Sequence, residues 1–219
     1  MPSQTEVVNI TLGRIGITRR IANIETDTSK EAVTARLHYD LALEETLRAF
    51  PWNFAQTAVA LALTAEDVVI PGYEYQYQYP SGCLTAHMVC TEDGVRDTFT
   101  AWLQPWERSR LMPPKYPFRV ALHPDGNRRV LLTDVEQAYL IYTARVTDTA
   151  AWDPLFMSAF CDRLGAELAM PLIEGANGKA MMQVAMARYN QSWQSAAAMS
   201  LNEGREDERP ESPSISARD

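Results

Sequence analysis

Three groups of residues have the types and spacing to do chemistry. Asp40, Glu44 and Glu45 lie within two turns of one predicted helix, and paired carboxylates are the machinery of glycan hydrolysis, one as acid and one as base or nucleophile. Asp40 stands four residues from Arg36 and Glu44 four from Arg48, which is also the pattern of a solvated helix face laced with ion pairs. His38 beside Tyr39 and Asp40 offers a His–Asp pair, but no serine or cysteine stands in a recognisable nucleophile elbow. Cys83, His87 and Cys90 put three metal-binding side chains within eight residues. On a strand, Cys83 and His87 share a face while Cys90 points the other way, and no fourth ligand is evident. No phosphate loop, dinucleotide fingerprint or metal-binding loop occurs. The sequence therefore assigns no catalytic residue, no cofactor and no metal, and the expectation is a protein that is not an enzyme. A carboxylate-based hydrolase using Asp40 and Glu44 is the alternative from enzyme chemistry.

The elements that carry these residues follow from periodicity and punctuation. Val7, Val8, Ile10, Leu12 and Ile15 recur at near-helical spacing over 4–15, and Gly13 and Gly16 mark the end. Thr28 and Glu31 read as a capping box for a second helix, which runs to Phe50 and stops because Pro51 forces its predecessor out of helical geometry. That helix has two apolar stripes, Val33–Leu37–Leu41 and Tyr39–Leu43–Leu47–Phe50, so it needs two packing surfaces. It runs straight into the corner Pro51-Trp52-Asn53-Phe54, a packing feature and not a catalytic one.

From 56 to 146 the period changes to two. Tyr73, Tyr75, Tyr77 and Tyr79 alternate with Glu74, Gln76 and Gln78, the pattern of a half-buried strand. Further strands are expected at 57–63, 84–90, 118–122, 129–132 and 138–145, separated by glycine-containing turns. Residues 100–117 form a long arm rich in tryptophan and proline. Asp153-Pro154 opens a third helix, since aspartate caps and proline suits the first turn. A turn at 174–178 precedes a fourth helix over Lys179–Leu201. Residues 205–219 are charged, with Pro210, Pro213 and several serines, and bury too little to fold alone. The expected fold is α+β: an antiparallel four-helix bundle with one antiparallel β region inserted between helices two and three. The divisions are 1–55 (helices one and two), 56–150 (β domain), 151–204 (helices three and four) and 205–219 (extended tail).

The chain has 219 residues and a formal net charge of −8, which disfavours tight binding of nucleic acid. Seventeen of its twenty cations are arginines; arginine desolvates more easily than lysine and suits interfaces, although a GC-rich genome would also produce the bias. Three cysteines fit a reducing compartment better than a disulfide framework. The polar start, Met1 to Glu6, is unlike a secretory signal, and no apolar run is long enough to span a bilayer.

The order of elements, with particular residues in it, resembles the head-to-tail adaptor proteins of short-tailed phages, also called tail tubular protein A or gatekeeper proteins. The residues that carry the resemblance are Leu12-Gly13-Arg14-Ile15-Gly16, Ala35-Arg36 with Tyr39-Asp40, and the corner Pro51-Trp52-Asn53-Phe54-Ala55. Tyr75-Gln76-Tyr77 then leads to Tyr79-Pro80 and Cys83-Leu84. Leu131-Leu132-Thr133-Asp134, Tyr139-Leu140-Ile141-Tyr142 and Val146-Thr147-Asp148 precede Trp152-Asp153-Pro154-Leu155-Phe156 and Leu168-Ala169-Met170-Pro171-Leu172. The resemblance covers residues 4–204. Ser81-Gly82 departs from it, where an acidic residue often precedes the Cys-Leu pair, and the tail has no matching pattern.

The resemblance implies a virion protein at the portal vertex, made in the host cytoplasm. It would form a homo-oligomeric ring of about twelve subunits between the portal protein and the tail nozzle protein. Genomic DNA would be retained by the ring and would pass through its lumen without sequence-specific binding. Another ring-forming virion protein, a stopper or scaffold-like partner, is the alternative within structural proteins. Within that frame, Met181, Met186, Trp193 and Arg36 are candidates for the subunit interface. Trp102, Trp106 and Tyr116 are candidates for docking the nozzle, because aromatic anchors dominate hot spots. Arg205, Glu206, Asp207, Arg209, Ser214 and Arg218 of the tail are candidates for gripping the portal.

Overall fold

Local chemistry starts the first three helices where the sequence places them, within a residue or two. The computed structural model describes residues 2–92, 94–95 and 116–202. Ser3 caps α1 (Gln4–Arg14) with a full capping box, its side chain accepting from the Glu6 amide while the Glu6 carboxylate accepts from the Ser3 amide. The cap of α2 (Lys30–Ala49) is Ser29, one residue later than expected, accepting from the Ala32 amide. Asp153 caps α3 (Pro154–Leu172) through the amides of Leu155 and Phe156. The fourth helix, α4 (Gly175–Asn202), starts at the foot of α3 and not after a five-residue turn. Gly178 makes this possible: a Cβ there would lie 2.3 Å from the Ile173 carbonyl oxygen.

The helices do not form a four-helix bundle, which corrects the expected fold. The other three helices each pack chiefly on α3. Its buried residues, Phe156, Ala159, Cys161, Asp162, Leu164 and Gly165 among them, lie on every side of the helix. A helix buried on every side belongs at a centre, and Pro154–Leu172 is that helix. The outer helix α4 buries a narrow stripe, Ala185, Ala196 and Ala197, with Met181 and Trp193 half-buried against the helical core.

Two tryptophan corners close this core. Trp52, after α2, donates from its indole N–H to the Thr46 carbonyl at 2.9 Å. Trp152, before α3, donates to the Val146 carbonyl at 3.0 Å. Both rings pack edge-on against Phe156, and Trp152 also against Phe160. Each corner thus buries a large ring and satisfies its one polar atom.

The β part corrects the expectation a second time. It consists of two three-stranded antiparallel sheets and not one. The strands are β1 (Gln56–Ala60), β2 (Tyr75–Gln78), β3 (Cys83–Cys90), β4 (Phe118–Leu122), β5 (Arg129–Thr133) and β6 (Tyr139–Ala144). Sheet one has the order β1-β6-β3 and sheet two the order β2-β5-β4. They share a core in which Cys83, Val89 and Leu140 of sheet one meet Tyr77 and Leu131 of sheet two. Single bridges join the sheets at both sides, Leu63 with Tyr77 and Val89 with Tyr116. The result resembles a flattened barrel. Alternation decides which side chains point inward, but only the bridges fix where one sheet gives way to the other.

The tyrosine alternation holds for Tyr75, Tyr77 and Tyr79, which all pack into the inter-sheet core. Gln76, expected to face water, is only 2% exposed. The passing segment 64–69 covers it, and its side-chain amide bonds the Val69 amide at 3.0 Å and the Thr64 hydroxyl at 3.1 Å. A buried amide paid for by hydrogen bonds is stable where a bare one is not.

Candidate functional site

The face of α2 turned away from α3 is the most distinctive surface. Its inner stripe, Tyr39, Leu43 and Leu47, is buried against the helical core. Its outer stripe is not: Val33, Leu37 and Leu41 are 50%, 75% and 60% exposed. They recur every four residues and form a ladder along the helix. The ladder's border is charged. Arg145, just past β6, reaches across to Asp40 at 2.7 Å and to Glu44 at 2.9 Å. One guanidinium therefore engages two carboxylates and ties the β body to α2. A planar fork is the group suited to that job.

This geometry bears on the residues that could do chemistry. Asp40 and Glu44 are bound to Arg145, and Glu45 pairs with Arg163, which also holds Glu167. His38 faces Glu167 at 3.8 Å. Cys83 and Cys90 are buried, and burial raises the pKa of both thiols. The Cys83 thiol donates to the Tyr79 hydroxyl at 3.0 Å, and burial together with that contact pushes the Tyr79 phenol up to about 12. The His87 Nε2 lies 2.7 Å from the Thr143 hydroxyl, and burial lowers the pKa of the ring. A bulge between Ala86 and Met88 changes the strand's alternation at this point. Among the described residues no cluster of three or more histidine, cysteine or acidic side chains has the geometry to hold a metal, and no helix is long and apolar enough to cross a membrane.

The sequence-derived interface residues separate into two kinds. Met181 and Trp193 pack on their own chain's helical core. Arg36 donates to the carbonyls of Ile24, Glu25 and Asp27, where it pins the loop between α1 and α2. Met186 is exposed. Tyr116 bridges Val89 and packs into the inter-sheet core. Trp102, Trp106 and the tail residues Arg205, Glu206, Asp207, Arg209, Ser214 and Arg218 lie outside the described residues.

Two charged clusters escaped the sequence reading. Asp162, 5% exposed in the middle of α3, accepts from Arg14 at 2.9 Å and from the Ser192 hydroxyl at 2.9 Å. It joins three helices through one carboxylate. Its signal was an acid at helical spacing from Ala159 and Ala166, where burial requires partners. The second is Arg128, which holds Glu66 and Asp125 at the β4–β5 turn with His123 between them. The Arg128 contact holds Glu66 below the usual carboxylate range, and the Asn127 amide does the same for Asp125.

No model of a known protein family matches the sequence, and no curated protein matches it significantly. The functional reading therefore rests on the residues and their arrangement.

Proposed function

We propose that this chain is a structural subunit of a phage virion: a head-to-tail adaptor that closes with copies of itself into a ring between the portal and the tail nozzle. The observation that carries the reading is the uncovered ladder of Val33, Leu37 and Leu41 on a helix whose opposite face is fully packed. Three adjacent apolar side chains on one surface mark an interaction site, where a single exposed leucine would not. Arg145 makes the ladder part of a stiff plate, because it fixes α2 to the β body. A ring subunit needs such a plate, since a closed ring repeats one inter-subunit angle without accumulating error. The net charge of −8 suits a lumen through which DNA slides instead of sticking.

The test is assembly with the portal protein of the same virus. Electron micrographs of the mixture should show a second ring stacked on the portal, and Leu37→Glu should abolish it. The variant should leave the monomer's stability within about 0.5 kcal/mol, as expected for a surface position. A wild-type chain that stays monomeric with and without portal, at every concentration tried, would sink the reading.

A further inference from the structure

The wall of the β body has a gap at the outer strand of sheet one. β1 pairs with β6 on one side, and the Leu61 amide donates to the Ala138 carbonyl. In that antiparallel register the N–H and C=O groups of Ala58 and Ala60 point away from β6. Two residues further on, the line is filled: the Gln78 amide donates to the Ala62 carbonyl. Beside Ala58 and Ala60, β2 has already ended, and the chain turns away through Tyr79–Gly82 towards β3. What remains is an open cleft of ≈ 580 Å³. Val59, Tyr142 and Ala144 give it an apolar floor, and Pro80, Gly82 and Arg145 stand on its rim. Among the described residues no strand pairs with the free side of β1.

We propose that Ser214–Ala217, near the chain's own C-terminus, adds to β1 as an extra strand and fills this cleft in the same molecule. The segment is Ser-Ile-Ser-Ala. In a strand, Ile215 and Ala217 share one face and the two serines the other, which matches an apolar floor below and water above. It is the one place after Asn202 where apolar residues alternate with polar ones and no proline intervenes. Position favours the same molecule. The end of α4 is fastened at Asn53, three residues before β1, by the Asn53 amide donating to the Ser200 hydroxyl at 3.2 Å. The linker 203–213 spans up to about 36 Å when extended. The path from Asn53 to Ala60 needs only about 23 Å at strand rise. A short tether of this kind gives an effective concentration on the order of millimolar. Charge agrees as well: the linker carries Glu203, Glu206, Asp207, Glu208 and Glu211 against Arg205 and Arg209, and Arg129 lies over the ring of Tyr79, which lines the cleft.

The inference stands apart from the ring reading, because it concerns a single chain and is measured at concentrations where the chain is monomeric. Amide exchange of Ala58 and Ala60 in the full-length protein is the test. Both amides should be protected, and Ile215→Asp should speed their exchange at least tenfold while the Leu140 amide on β6 stays unchanged. Wild-type amides that exchange as fast as those of the variant would overturn the proposal. A second variant, Ala60→Cys with Ser216→Cys, leaves the three buried native thiols in place and should oxidise to a monomeric disulfide. Failure to cross-link, or disulfide-linked dimers as the main product, would overturn it too, the latter by giving the segment to a neighbouring copy.

Discussion

The helical half and the β half solve the same problem, burying apolar surface, in opposite ways. Around α3 the core is aromatic and closed. Phe156 touches Trp52, Phe54 and Trp152, and the one buried acid there has two partners. Between the sheets the core is built from tyrosines and aliphatic residues, and it opens into a cleft beside β1. The difference follows from geometry. A central helix presents side chains in all directions, so three helices can surround it. A pair of short sheets has edges, and each edge must be paired, covered or left open. The core of the helical half is thus closed, while the outer ladder of α2 stays uncovered, and the β half is where a further segment has room to bind.

That contrast can be broken most directly in the cores themselves. Phe156→Ala should cost about 3–5 kcal/mol, as a fully buried aromatic at the meeting point of both corners. Leu61→Ala, nearly as buried and lining the cleft, should cost nearer to about 2 kcal/mol because its surroundings have space to collapse. Urea denaturation of the two variants checks the order, and equal losses would remove the distinction between a closed and an open core. Arg14→Ala comes next. It leaves Asp162 buried with only Ser192 as a side-chain partner, at a cost of about 1.5–3 kcal/mol, and Asp162→Asn in the same background should recover part of it.

Arg145→Ala sharpens the comparison, since it cuts the tie between the halves and not either core. Its partners are partly exposed, so the loss should be at most about 1 kcal/mol and should shrink in high salt. Thermal melts at two ionic strengths measure it. The smallest effect is expected from His87. Burial holds its folded pKa below the ordinary value, so the unfolded chain takes up a proton that the folded ring resists. The stabilisation is complete above the ordinary histidine pKa of about 6.5 and is lost as pH falls below it. His87→Gln should therefore flatten the fall in urea midpoint between about pH 7.5 and about pH 5. An unchanged slope would assign the pH dependence to the carboxylates.

Much of this architecture was legible in the chain. The caps at Asp153 and near Ser29, the stop at Pro51, all six strands and the two stripes of α2 follow from periodicity and turn chemistry, which are local. The capping box of Ser3 and Glu6 is equally local. The central place of α3 was also written in the residues, since large and small apolar side chains recur around Pro154–Leu172. Little of the candidate site could have been found in this way. Arg145 lies a hundred residues from Asp40 and Glu44, and no spacing rule connects them.

The sequence by itself determined which residues share a face, because helix and strand periods are fixed by backbone geometry. Only the tertiary structure decided which faces are covered. Gln76 is buried because a distant segment crosses it, Asp162 because α1 and α4 bring Arg14 and Ser192 to it, and of the two stripes on α2 one is packed while the other faces water. Periodicity is a property of a few turns, whereas burial depends on every element that comes near, and a chain specifies the second only by folding.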